Sequence, residues 1–422
     1  MKKWFFRIGL GFLSIIVLLY LFVLLRSVIP ATVNDQGLRV ERASIPEGAN
    51  AFDVLQEAGS HLWWPDEQNQ MLSDLAHDSN WNDSLAQTVV ANNREALAGW
   101  DAAAKLTDLQ VPEISTAADL LPYLTAWKKM SEAAAVRENL LMHHGQDKVA
   151  FDQMADEIQL GRLMQKSHST LIGYLVGTAV NSMGLNQMQH WAGRTHLTPD
   201  QLKIYISQLD LDPSDEGAAL ADTLRAEYQC TIGTIVAMRH GKMINPDTGK
   251  PYPQPTWLLP VFNESKTKAL FADQFNALVN AAPHHFNEVK LPEPFSHPPG
   301  PVALILSGNL LGHVWFELLM PATGAALEKK SQCDTQLQAT RVILALRAYK
   351  LTHGNPPQDL SALVPDFLDE VPVDDFDGQP LRYSAERKIV YSVGENLKDD
   401  GGDDSRGGPS NRPLDLVYKF DF

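Results

Sequence analysis

Asp399, Asp400, Asp403 and Asp404 fall within six residues, interrupted only by Gly401 and Gly402. Carboxylates this close, with glycines that allow tight turns, suit a hard, oxygen-preferring cation such as Ca2+, though the spacing is not that of an EF-hand. Histidines recur as His143-His144 and His284-His285, with His297 and His313 elsewhere. Adjacent side chains diverge on a helix, so neither pair is a ligand spacing by itself. No His-Glu-x-x-His, P-loop, GxGxxG or GxSxG pattern occurs, and Ser392-Val393-Gly394 reads as the end of a strand. The two cysteines, Cys230 and Cys333, could pair in an oxidising compartment and tie the middle of the chain to the start of the tail. The alternative is two separate buried thiols. Without a CxxC or Cys/His pattern, structural zinc is not expected. Tryptophans at helical spacing, including Trp81, Trp100, Trp127 and Trp191, point to core packing. Asn92-Asn93-Arg94 and Asn263-Glu264-Ser265-Lys266 read as helix caps and surface.

The elements that must position these residues are mainly helical. Ile8–Leu25 carries no charge between Arg7 and Arg26. As a helix that run is ~27 Å long, near the thickness of a bilayer's hydrocarbon core. Lys2, Lys3 and Arg7 precede it and no small-x-small cleavage site follows. Residues 1–30 therefore read as a cytoplasmic tip and signal anchor, with the rest periplasmic if the host is bacterial. Residues 31–325 read as a solenoid-like helical body without a clean repeat. A long helix starts at the Asn82 cap and runs to Trp100, and the helix ending at His143-His144 is capped by Gly145. Gly173, Gly177 and Gly184 permit close helix contact, and Thr198-Pro199 opens another helix. Residues 241–260 and Pro283–Pro301 read as proline-rich loops. Val302–Met320 is apolar enough to suggest a second span, but Asn309, His313 and Glu317 make it a buried core helix. With 51 Asp and Glu against 35 Lys and Arg, the formal charge is -16. That balance argues against nucleic acid as a partner.

Residues 326–422 form a small α+β tail: a helix Ala325–His353 capped by Gly354, then strands Leu381–Ser384, Ile389–Val393 and Leu414–Phe420. Tyr349 and His353-Gly354 lead into Pro357, Leu360 and Leu363. Val371-Pro372, Asp374, Asp377-Gly378, Pro380 and Tyr383 form a turn, and Tyr391-Ser392 and Gly394 precede the Asp/Gly loop. In this order the motifs resemble the globular domain of type II secretion major pseudopilins. The resemblance implies calcium in the loop of Asp399, Asp400, Asp403 and Asp404, and a link to secretion. It begins only near residue 327, and the Gly-Phe-Thr-x-x-Glu pattern of pseudopilin precursors does not follow the N-terminal residues.

Together these features point to a non-enzymatic, membrane-anchored envelope scaffold whose partners are other envelope proteins. The alternative is a periplasmic ligand-binding protein or hydrolase using a cleft near residues 241–260 with His284 and His285. A divergent pseudopilus component is a third reading.

Overall fold

The computed structural model describes residues 2–119, 121–210, 213–244, 248–251, 262–290, 300–407 and 411–422. Trp257, His297 and most of the loop 241–260 lie outside them. Among the described residues helices dominate, with a three-stranded and a two-stranded sheet near the C-terminus.

The first helix, α1 (Lys2–Val28), carries the apolar N-terminal run, and Leu18 and Leu25 are exposed on it. Next come α2 (Ala51–Ser60), α3 (Asn69–Ala76), α4 (Asp83–Asn92), α5 (Arg94–Ala103) and α6 (Pro122–His143). The helix expected from Asn82 to Trp100 is broken between α4 and α5. Asn93 is fully buried there; it accepts from Trp63 N (2.8 Å) and donates to Trp63 O (3.0 Å) and Val89 O (3.0 Å). Satisfying a buried amide in this way outweighs one more turn of helix. Trp64, Trp100 and Trp127 are buried in the core that these helices share, and Gly145 follows α6 at φ +72°.

Helices α7 (Asp147–Gln165) and α8 (Leu171–Ala192) lie against each other at very short range. A Cβ on Gly161 would stand 2.4 Å from Asn181 N, and one on Gly177 would stand 2.8 Å from Gln165 N. The small residues here are what let two backbones touch. Helix α9 (Pro199–Gln208) opens with a full capping box from Thr198 and Gln201. Helices α10 (Pro213–Arg239) and α11 (Glu264–Ala281) complete the body, with Asn263 as the N-cap of α11.

A short α12 (Pro301–Leu306) precedes α13, a single 44-residue helix from Leu310 to His353. Two helices meeting near residue 325 were expected. The break instead comes at Gly308, at φ +67°. Packing carries α13 across the expected junction: Phe316, Met320, Ala326 and Leu327 share one core with Phe271 and Phe275 of α11. Further along, Leu337, Val342 and Leu346 join a second core made by α7, α8, α9 and the tail. Body and tail thus share buried apolar surface.

In the tail, β1 (Arg382–Ser384) pairs antiparallel with β2 (Ile389–Ser392), which pairs with β5 (Leu416–Lys419). A two-residue ribbon, β3 (Arg406–Gly407) with β4 (Arg412–Pro413), stands beside them. Asp374, fully buried, ties the turn to the sheet. It accepts from Arg382 (2.8 Å), Phe376 N (3.0 Å), Ser392 Oγ (2.8 Å) and Val393 N (3.0 Å).

Candidate functional site

A cleft of about 440 Å³ opens where body and tail meet. Arg162 comes from the last turn of α7, Asp210 follows α9, and Glu216 lies in the first turn of α10. Asp334, Leu337, Gln338 and Arg341 line it from α13 at the i, i+3, i+4, i+7 spacing of one helix face. His285 reaches it from the turn after α11, and Asp369, Glu370, Val373 and Asp375 from the tail loop.

Backbone hydrogen bonds stitch that turn to the tail loop. Phe286 N donates to Asp375 O (2.9 Å), Asn287 N to Phe376 O (3.0 Å), and Asn287 Nδ2 to Asp377 O (2.9 Å). The cleft wall is therefore built jointly by segments about 90 residues apart.

Charged side chains fill the floor. Arg162 pairs with Glu216 Oε1 at 3.0 Å, both nearly inaccessible. Lys330 lies between Asp334 (2.9 Å) and Asp375 (3.1 Å), and Ser331 Oγ also donates to Asp375. Burial alone would push the Lys330 ammonium down, but Asp334 and Asp375 hold it above its ordinary value. Burial raises the Asp334 carboxyl to about 7, with Glu216 and Asp375 adding repulsion beyond what Lys330 offsets. One ammonium cannot neutralise two buried carboxylates, so Asp334 bears the surplus. Arg341 reaches Asp210 at 2.6 Å. Glu216 Oε2 is buried and has no hydrogen-bond partner among the described residues.

His285, Asp375 and Ser331 are hydrogen-bonded in a row, but in the wrong order for nucleophilic catalysis. The His285 Nδ1–Asp375 Oδ1 distance is 2.9 Å, while Ser331 bonds to the same carboxylate and not to the imidazole. A base must accept the nucleophile's proton directly. Lys330, held protonated, is no substitute. His284 is turned away towards Glu288 at 3.5 Å, so only one histidine of the pair reaches the cleft.

The other sequence-selected residues lie elsewhere. In the 399–404 loop, Asp399 accepts from Gly401 N (2.9 Å), Asp400 from Asn396 (2.8 Å), and Asp403 from Ser405 N (2.9 Å). Asp404 pairs with Lys419 at 2.7 Å. Backbone donation from Ser405 lowers the Asp403 carboxyl, and the hydrogen bond from Lys419 lowers that of Asp404. The Gly401 and Gly402 carbonyls accept from the Arg387 guanidinium. Among the described residues, no three His, Cys, Asp or Glu side chains gather around a point that could hold a metal. Cys230 and Cys333 are free, buried thiols, so the pairing considered from sequence is not made. Cys230 lies near Thr234 and Asp119, whereas Cys333 meets Gln165 of α7 at 3.8 Å.

His143, expected only in the last turn of a helix, has a second setting. Asp78 accepts from His143 Nε2 (2.6 Å) and His190 Nε2 (2.8 Å), and His143 stacks on Trp81 at 4.3 Å. Sequence reasoning also missed Arg162, Glu216, Lys330, Asp334 and Asp375. The available signal was charge inside otherwise apolar helices, notably Lys330, Asp334 and Arg341 along α13.

No protein family, no curated protein and no solved structure matches this chain.

Proposed function

We propose that this chain is a non-enzymatic, membrane-anchored envelope protein. In this reading α1 holds it in a bacterial inner membrane through residues 8–25, and the remainder faces the periplasm. The body–tail cleft docks a basic segment of another envelope protein. The observation that carries the reading is the cleft's charge. Among the described residues, the six carboxylates of Asp210, Glu216, Asp334, Asp369, Glu370 and Asp375 line it, against the guanidiniums of Arg162 and Arg341 and the Lys330 ammonium on its floor. Within it, Glu216 Oε2 has no hydrogen-bond donor among the described residues. A buried carboxylate oxygen left without a donor is costly, and an entering ammonium or guanidinium relieves that cost.

The likeness of the tail to a pseudopilin domain makes a secretion component the first partner to seek. Calcium in the loop of Asp399 to Asp404 would compete with Lys419 for the Asp404 carboxylate.

The test is fluorescence anisotropy of a labelled lysine-rich peptide with the full-length protein in detergent, using a glutamate-rich peptide as control. The lysine peptide should bind, should weaken as salt rises, and should lose about tenfold in affinity with Asp369→Asn and Glu370→Gln together, roughly 1.4 kcal/mol. Equal binding of both peptides, or indifference to the double substitution, would exclude the cleft as the docking site.

A further inference from the structure

We infer that α12 and the first turns of α13 form a second membrane contact, lying against lipid beside α1. The inference rests on the reading of α1 as the anchor.

The end of α1 is built into the body. Lys266 Nζ donates to Arg26 O at the end of α1 and to Ser307 O just after α12, both at 2.7 Å. Asn263 Nδ2 donates to Ser27 O (2.7 Å) and Ile29 O (2.9 Å). Gly308 packs on the same spot, where a Cβ would stand 2.6 Å from the backbone of Arg26 and Ser27. The point at which α1 gives way to charged residues is therefore also the start of the α12–α13 bend.

From that bend the apolar surface continues. Val302 is 70% exposed, Val314 50%, Leu318 73% and Leu319 41%, against 65% for Leu18 on α1. Val314 and Leu318 are one turn apart on the outer face of α13. On its inner face Phe316 packs edge-on to Phe271 at 5.3 Å. A helix apolar on both sides, one buried in protein and one bare beside an anchor, fits a one-sided contact with the bilayer of that anchor. Between Gly300 and Leu327 the only carboxylate is Glu317, exposed beside Leu318. It limits the depth: this face lies at the headgroup boundary and does not cross the hydrocarbon core. Six residues of α12 are likewise too few to span.

The experiment uses the full-length protein with Cys230 and Cys333 replaced by alanine, reconstituted in vesicles. Bimane is attached at Leu18→Cys, Val302→Cys, Leu318→Cys or, as a control, Val373→Cys. Quenching by doxyl-labelled lipid is compared with quenching by aqueous iodide. Positions 18, 302 and 318 should be quenched by lipid, with iodide quenching at least threefold weaker than at 373. Iodide quenching of 302 and 318 alongside lipid quenching of 18 overturns the second contact and spares the anchor. Shielding of 302 and 318 from both quenchers overturns it in favour of a protein covering. Iodide quenching at position 18 overturns the anchor, and this inference falls with it.

Discussion

Glu138 and Glu157, both fully buried, are the residues with the clearest energetic signature. Burial raises the Glu138 carboxyl to about 8, and burial together with the neighbouring Glu138 carboxyl holds Glu157 well above the carboxylate range, with Ser131 donating to Glu157. Because the folded chain keeps these protons longer than the unfolded chain, it binds more protons between pH ~4.5 and ~8. Stability should therefore fall as pH rises through that window, by up to ~1.4 kcal/mol per pH unit per group. Glu138→Gln keeps the neutral form, so denaturant unfolding at pH 8 should show a gain and a flatter pH profile; an unchanged slope would refute the assignment. Lys330 has the opposite role, since its ammonium compensates Asp334 and Asp375. Lys330→Met leaves two buried carboxylates without a cation and should cost about 3–5 kcal/mol in the same measurement. A cost below 1 kcal/mol would mean that water reaches the cleft floor.

Two pairings of elements carry testable weight. The backbones of α7 and α8 meet at Gly161, so Gly161→Ala forces them apart and should destabilise by about 1–3 kcal/mol, read from the unfolding midpoint. Leu344 of α13 is fully buried in the core shared by body and tail. Leu344→Ala should cost about 2–5 kcal/mol, and helical signal and tail tyrosine fluorescence should be lost in one transition. Two separated transitions would show the tail folding on its own. Helical identity was legible from sequence wherever period and caps agreed, as at Thr198-Pro199, Asn263 and His353-Gly354. The break at Asn93 was not, because it depends on Trp63, thirty residues away. Nor was the continuity of α13 through residue 325, because packing on α11 overrides the local break signals there. The cleft was hidden for a related reason. Its residues come from separated stretches, and apart from Lys330 and Asp334, four residues apart on α13, their partners are distant in sequence. His285 alone was singled out beforehand, and it was read there without Asp375.

At the scale of the whole molecule, the chain combines an apolar helix fixed to the body, a helical mass sharing its core with a small sheet, and an acidic seam between the two. The formal charge of -16 is spread over the chain, and the seam gathers six of its carboxylates in partly closed space. A basic partner would be drawn towards the whole surface and held at the seam, so charge at distant sites should alter the rate of association more than its strength. The most direct measurement is photo-crosslinking in native membranes from benzoylphenylalanine at Val373, an exposed residue of the cleft rim. The account predicts a discrete protein adduct that disappears when Asp369→Lys and Glu370→Lys reverse the rim charge while the protein stays folded and membrane-bound. An adduct that survives charge reversal, or the lack of any adduct from this position, would contradict it.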